Sequence, residues 1–169
     1  MKLKTKHTAF ILTLLIFGQL FLITACSSKE NYRDDIPCTD LTKEFINSKS
    51  NQPDYSYYDR DEISFFLDIP EYVTDLSVIY STDVNDINEI GVFHCADEKG
   101  AEKFLETVSS YLQEQQAGQK AFIASYAPRE VPKLEGAEVR KYGNYVIYTI
   151  LSSDGKMAVW EMAEKKLRD

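Results

Sequence analysis

Glu138-Val-Arg-Lys-Tyr-Gly-Asn-Tyr-Val-Ile-Tyr-Thr-Ile-Leu151 decides how this chain folds. Gly143-Asn144 at its centre tolerates the positive φ of a tight turn, so residues 138–142 and 145–151 are predicted to pair as a β-hairpin. The second arm carries apolar side chains at both odd and even positions. A strand with that pattern is buried on both faces and belongs inside a sheet rather than at its edge.

Upstream, Leu76-Ser-Val-Ile-Tyr-Ser-Thr82 and Ile90-Gly-Val-Phe-His-Cys95 are rich in β-branched and aromatic residues and flank an Asp/Asn-rich loop, which predicts a second hairpin. Between the hairpins, Ala101, Phe104, Leu105, Val108, Tyr111 and Leu112 fall three and four apart, the signature of an amphipathic helix opening near Asp97. Phe122, Ile123 and Tyr126 extend its apolar face, and Pro128 ends it. A last helix follows the Ser152–Asp154 cap with Val159, Trp160, Ala163 and Leu167 inward. Before the first strand, a helix from Thr39 or Asp40 to about Lys49 and a short one from an Asp59 cap to Leu67 are predicted, with residues 51–58 between them as a loop. Antiparallel hairpins with helices grouped to one side make an α+β two-layer sandwich of about four strands, helices mainly on one face. Residues 39–169 form its single domain.

The chain has 169 residues, a net charge of -8 and 44% hydrophobic residues, enough for one ordinary domain with a real core. An acidic balance without a clustered basic face excludes nucleic acid as a partner. Residues 1–25 read as a signal peptide: Lys2, Lys4 and Lys6 precede an apolar stretch from Ala9 to Ile23. As a helix that stretch spans only about 22 Å, short of the roughly 30 Å hydrocarbon core. It ends in Ile23-Thr24-Ala25-Cys26, which resembles the lipobox of bacterial lipoproteins. The resemblance implies cleavage after Ala25 and lipid attachment at Cys26, hence a chain anchored on the extracytoplasmic face of the cell membrane. Residues 26–38, polar and without apolar period, are read as lipidated N-terminus and tether.

The chemistry-bearing residues are sparse. His94 is the one histidine outside the signal, and Cys95 beside it points to the opposite face of a strand, so the two make no nucleophile and base. Asp83, Asn85, Asp86, Asn88 and Glu89 gather near one hairpin loop, but Ile90 and Asp97 stand where an EF-hand needs an oxygen ligand and a glutamate. Asp59, Asp61 and Glu62, and Asp97 and Glu98, are paired carboxylates of the type a glycosidase uses, without evidence of a cleft between them. No catalytic residue, cofactor or metal set is indicated. Tyr55, Tyr57 and Tyr58 are the candidate ligand contacts, since aromatic faces in a loop stack on sugars or anchor a partner.

Glu89-Ile90 to Phe93, the long helix, Tyr126-Ala-Pro-Arg-Glu130, Leu134, Ala137-Glu-Val139 and Gly143-Asn-Tyr-Val146 together resemble the bacterial lipoproteins grouped as domain of unknown function 4358, across about residues 39 to 167. The resemblance implies location and size, and carries no activity, substrate or catalytic residue. Pro132 departs from it and limits any helix there to a single turn. Outside the cytoplasm, Cys38 and Cys95 have the option of a disulfide, whose loop of about 58 residues would stabilise by roughly 4 kcal/mol; two free thiols are the alternative, in keeping with the reducing habitats that the resemblance implies. The functional expectation is a non-enzymatic module binding an envelope protein. A small-ligand or glycan-binding module using the tyrosines is the alternative, and an envelope hydrolase a distant third.

Overall fold

The structure is a computed structural model that describes residues 31–47 and 54–168. The segment read as a signal peptide and Cys26 lie outside the described residues. Its elements are α1 (Cys38–Asn47), β1 (Tyr55–Tyr58), α2 (Arg60–Ile63), β2 (Val73–Ser81), β3 (Glu89–Cys95), α3 (Glu98–Tyr126), a 3-10 turn (Pro128–Glu130), α4 (Val131–Glu135), β4 (Glu138–Tyr142), β5 (Tyr145–Ile150) and α5 (Ser153–Leu167). The strands form one antiparallel sheet in the order β1-β2-β3-β5-β4. The fold is α+β, as expected.

Local chemistry places the helices. Asp59 and Glu62 form a reciprocal capping box on α2. Asp97 accepts from the Gly100 N–H at 2.6 Å to start α3, and Ser152 accepts from the Gly155 N–H at 3.3 Å to start α5. Gly143 adopts φ +57°, the left-handed conformation its hairpin turn needs. Pro132 sits at the start of α4, which is held to about one turn.

Three details differ from the sequence expectation. Residues 55–58 form a fifth strand, with Tyr55 opposite Ser81 and Tyr58 opposite Val78; a tyrosine-rich run satisfies its backbone better at a sheet edge than in a loop. Helices cover both faces, giving three layers rather than two. Leu41 and Phe45 of α1 and Trp160 and Ala163 of α5 pack on Ile79, Ile90, Val92 and Ile147. On the other face, Phe104, Val108 and Leu112 of α3 pack on Val78, Phe93, Val146 and Tyr148. The apolar residues on both sides of β3 and β5 demand this cover, because each fully buried side chain contributes about 1.5–3 kcal/mol. Finally, the end of the segment read as tether belongs to the domain. Tyr32 bridges to Arg168 and packs edge-on against Tyr142, and the Ile36 backbone is gripped by Tyr145. Cys38, placed in the same segment, is a buried residue of α1.

Among the described residues no helix is long and apolar enough to cross a membrane.

Candidate functional site

At one end of the sheet, β3 begins with an acid on the face that α3 covers. Along this strand Glu89, Gly91, Phe93 and Cys95 share that face, since side chains alternate. Gly91 pairs with Tyr148 of β5. A Cβ at position 91 would stand 2.1 Å from Tyr148 Cε1, so the ring occupies the space that glycine leaves. Lying there, Tyr148 donates its hydroxyl to Glu89 Oε1 at 2.5 Å, and Tyr111 of α3 donates to the same oxygen at 3.2 Å. The glycine thus serves ring approach; the strand register is unbroken across it.

Burial pushes the Glu89 carboxyl above its ordinary range, only partly countered by the Tyr148 and Tyr111 hydrogen bonds. The same burial, together with the nearby carboxylate, raises the Tyr148 and Tyr111 hydroxyls well above the usual phenol value. Tyr58 is pushed up to about 12 by burial first and Glu89 second. Glu89 lines a cleft of about 220 Å³ between the sheet and the second half of α3. At about 1.5 Å per residue the 29-residue α3 is roughly 43 Å long and outruns the sheet. Its overhang is fastened by Gln116 Nε2 donating to Leu134 O at 3.0 Å and by a Lys120–Glu135 ion pair at 2.5 Å. The gap beneath that overhang is the cleft.

Its walls are aromatic and amide-bearing: Tyr58, Tyr80, Tyr126, Gln115 and Gln119 surround the opening. Tyr58 and Tyr80 stack with centroids 4.2 Å apart. On the loop side, Lys133 of α4 binds Asp86 at 2.7 Å and Glu130 at 2.6 Å. Burial disfavours the Lys133 charge, but these two carboxylates more than offset it and raise its pKa. Asp86, one of the acids that the sequence gathers near the hairpin loop, is therefore clasped to α4 by an ammonium group.

Of the expected ligand contacts, Tyr58 reaches the cleft. Tyr55 packs toward the opposite face of the sheet and Tyr57 is 44% exposed on that same side, because a strand divides neighbours that a loop would keep together. His94 lies at the other end of β3, with Nδ1 3.0 Å from Thr74 Oγ1 and its ring against Tyr145. Cys38 and Cys95 are both buried free thiols, in cores on opposite faces of the sheet. The sheet lies between them. Burial raises Cys95 to about 11 and Cys38 further, with Asp75 adding to the latter, which disfavours the reactive thiolate. Asp59, Glu62 and Asp97 serve as helix caps. Sequence reasoning reaches Glu89 only as a loop acid; its in-phase spacing with Gly91, Phe93 and Cys95 is the signal that marks it as inward.

No curated protein and no solved structure matches the chain. A family model described as Domain of unknown function (DUF4358) matches residues 49–151, a narrower span than the resemblance suggested. That span holds Tyr58, Glu89, Tyr111 and Tyr148, so the Glu89 cleft lies wholly within the part of the fold that defines the family, and the chain belongs to DUF4358.

Proposed function

We propose that the protein is a lipid-anchored, extracytoplasmic binding module whose ligand site is the Glu89 cleft. One observation carries this reading: a half-buried carboxylate, held by two tyrosine hydroxyls, opens into a cleft at the end of the sheet remote from where the chain enters. Entry is at Tyr32 and Ile36, beside Gly143 and Tyr145. Tyr145 pairs with His94, five residues along β3 from Glu89, or about 17 Å away. With lipid on Cys26, the domain end that receives the chain faces the membrane and the cleft faces outward. A small ligand fits a site of this size better than a flat protein contact does.

A protein partner is the second reading. Phe65 is 87% exposed beside α2 and Phe122 62% exposed on the α3 overhang, and such aromatics anchor interfaces. A thermal-shift screen of the full chain in detergent against wall fragments, sugars, amines and peptides separates the two. A ligand at one hundred times its dissociation constant adds about 2.7 kcal/mol and raises the midpoint by several degrees. A shift abolished by Tyr58→Ala and retained by Phe122→Ala supports the cleft; the reverse supports the partner. Cys26→Ala tests the anchor: the variant is expected to leave the membrane fraction, and retention there would remove the lipid from the account.

A further inference from the structure

We infer that the Glu89 cleft takes an organic cation, a primary or quaternary ammonium group on a short carbon chain or small ring. This rests on the binding-module reading and names its ligand class. Among the described residues two carboxylates line the cleft, Asp86 and Glu89. Asp86 already has a cationic partner in Lys133, which it shares with Glu130. Glu89 receives only neutral donors, both on Oε1, and no Lys or Arg stands among the described residues lining the cleft. A carboxylate partly withdrawn from water without a cation is destabilised, and a bound cation relieves it.

The walls complete the recognition. Tyr58, Tyr80, Tyr111 and Tyr126 line the same space, and aromatic faces attract ammonium groups through their quadrupoles. Ionised Glu89 repels an anion, and a neutral sugar satisfies the Gln115 and Gln119 amides but leaves that charge uncompensated. The volume of about 220 Å³ lies below the ~300 Å³ at which drug-sized pockets begin, so it accepts a head group rather than a whole oligomer.

The test follows tyrosine-ring ¹³C signals of the full chain in nonionic detergent during titration with butylammonium chloride and, separately, with N-butylacetamide, its neutral acylated counterpart, at constant ionic strength. Butylammonium is expected to shift the Tyr58, Tyr80 and Tyr111 rings saturably, with affinity at least tenfold above that of the amide. Glu89→Gln is expected to lose at least tenfold toward the amine and to leave the amide unchanged. The wild-type comparison stands even if the variant misfolds. Equal binding of amine and amide, or of the amide alone, overturns the cationic class and leaves the cleft as a binding site. No shift from either probe overturns both readings together.

Discussion

The two ends of β3 and β5 each hold a buried tyrosine hydroxyl, and they use it differently. At the end where the chain enters, Tyr145 accepts from the Ile36 N–H at 2.9 Å and donates to the Ile36 carbonyl at 2.6 Å. Donor and acceptor meet backbone groups that needed partners anyway, and the contact closes the domain over α1. At the far end, Tyr148 donates to a carboxylate that receives only neutral donors, beside an open cleft. The first arrangement stabilises the fold. The second holds a carboxyl with a raised pKa among neutral donors beside open space, and perturbed groups of this kind cluster at functional sites.

Substitutions at the two ends sharpen this contrast. The largest effect is expected from Gly91→Ala, whose Cβ displaces the fully buried Tyr148 ring. Overpacking of this kind costs about 1–3 kcal/mol or more, so chemical denaturation should report a clear loss of stability together with loss of the cleft. A Gly91→Ala variant as stable as wild type would show that Tyr148 has another place to go. Next comes Tyr145→Phe at the closed end, which orphans the Ile36 N–H and costs about 1–3 kcal/mol; ligand affinity, measured by titration, should not change. Tyr148→Phe at the open end is expected to cost less, about 0.5–1.5 kcal/mol, because Tyr111 remains and Glu89 can respond by keeping its proton. Its larger consequence should be in binding. An equal or greater stability loss than in Tyr145→Phe would erase the distinction between the ends. Smallest is Tyr57→Ala, on the exposed side of β1: stability within about 0.5 kcal/mol and binding unchanged. A binding defect there would move the site from the cleft to the tyrosine run.

Most of the architecture is legible in the sequence because it rests on local chemistry. The Gly143-Asn144 turn, the Asp97, Asp59 and Ser152 caps and the period of α3 all follow from near neighbours along the chain. What the sequence conceals is set by distant pairing. Tyr55 to Tyr58 become a strand only because β2 offers an unpaired edge, and that pairing sends Tyr58 to one face and Tyr55 and Tyr57 to the other. The cover on both faces is implied by the apolar runs of β3 and β5, yet which helix lies on which side depends on strand order. Glu89 is hidden for a related reason. Starting the strand at Ile90 leaves Glu89 in the loop, whereas starting it one residue earlier puts an acid in phase with Gly91 and Phe93, and only the fold brings Tyr111 and Tyr148 to it.

If Glu89 is held against the stability of the fold, the pH dependence of unfolding shows it most directly. Burial raises the folded-state pKa of Glu89 above its unfolded value near 4.5. Below that value both states carry the proton and no cost arises. As pH climbs from 4.5 through the raised folded value, the unfolded chain ionises first, and this residue's contribution to stability falls. Without ligand, Glu89→Gln should lack that decline and equal or exceed wild type in unfolding free energy at pH 7. A Glu89→Gln variant less stable than wild type at pH 7 by more than about 2 kcal/mol, on the scale of a buried group stripped of a needed partner, would mean that Glu89 is there to hold the fold and would contradict the account.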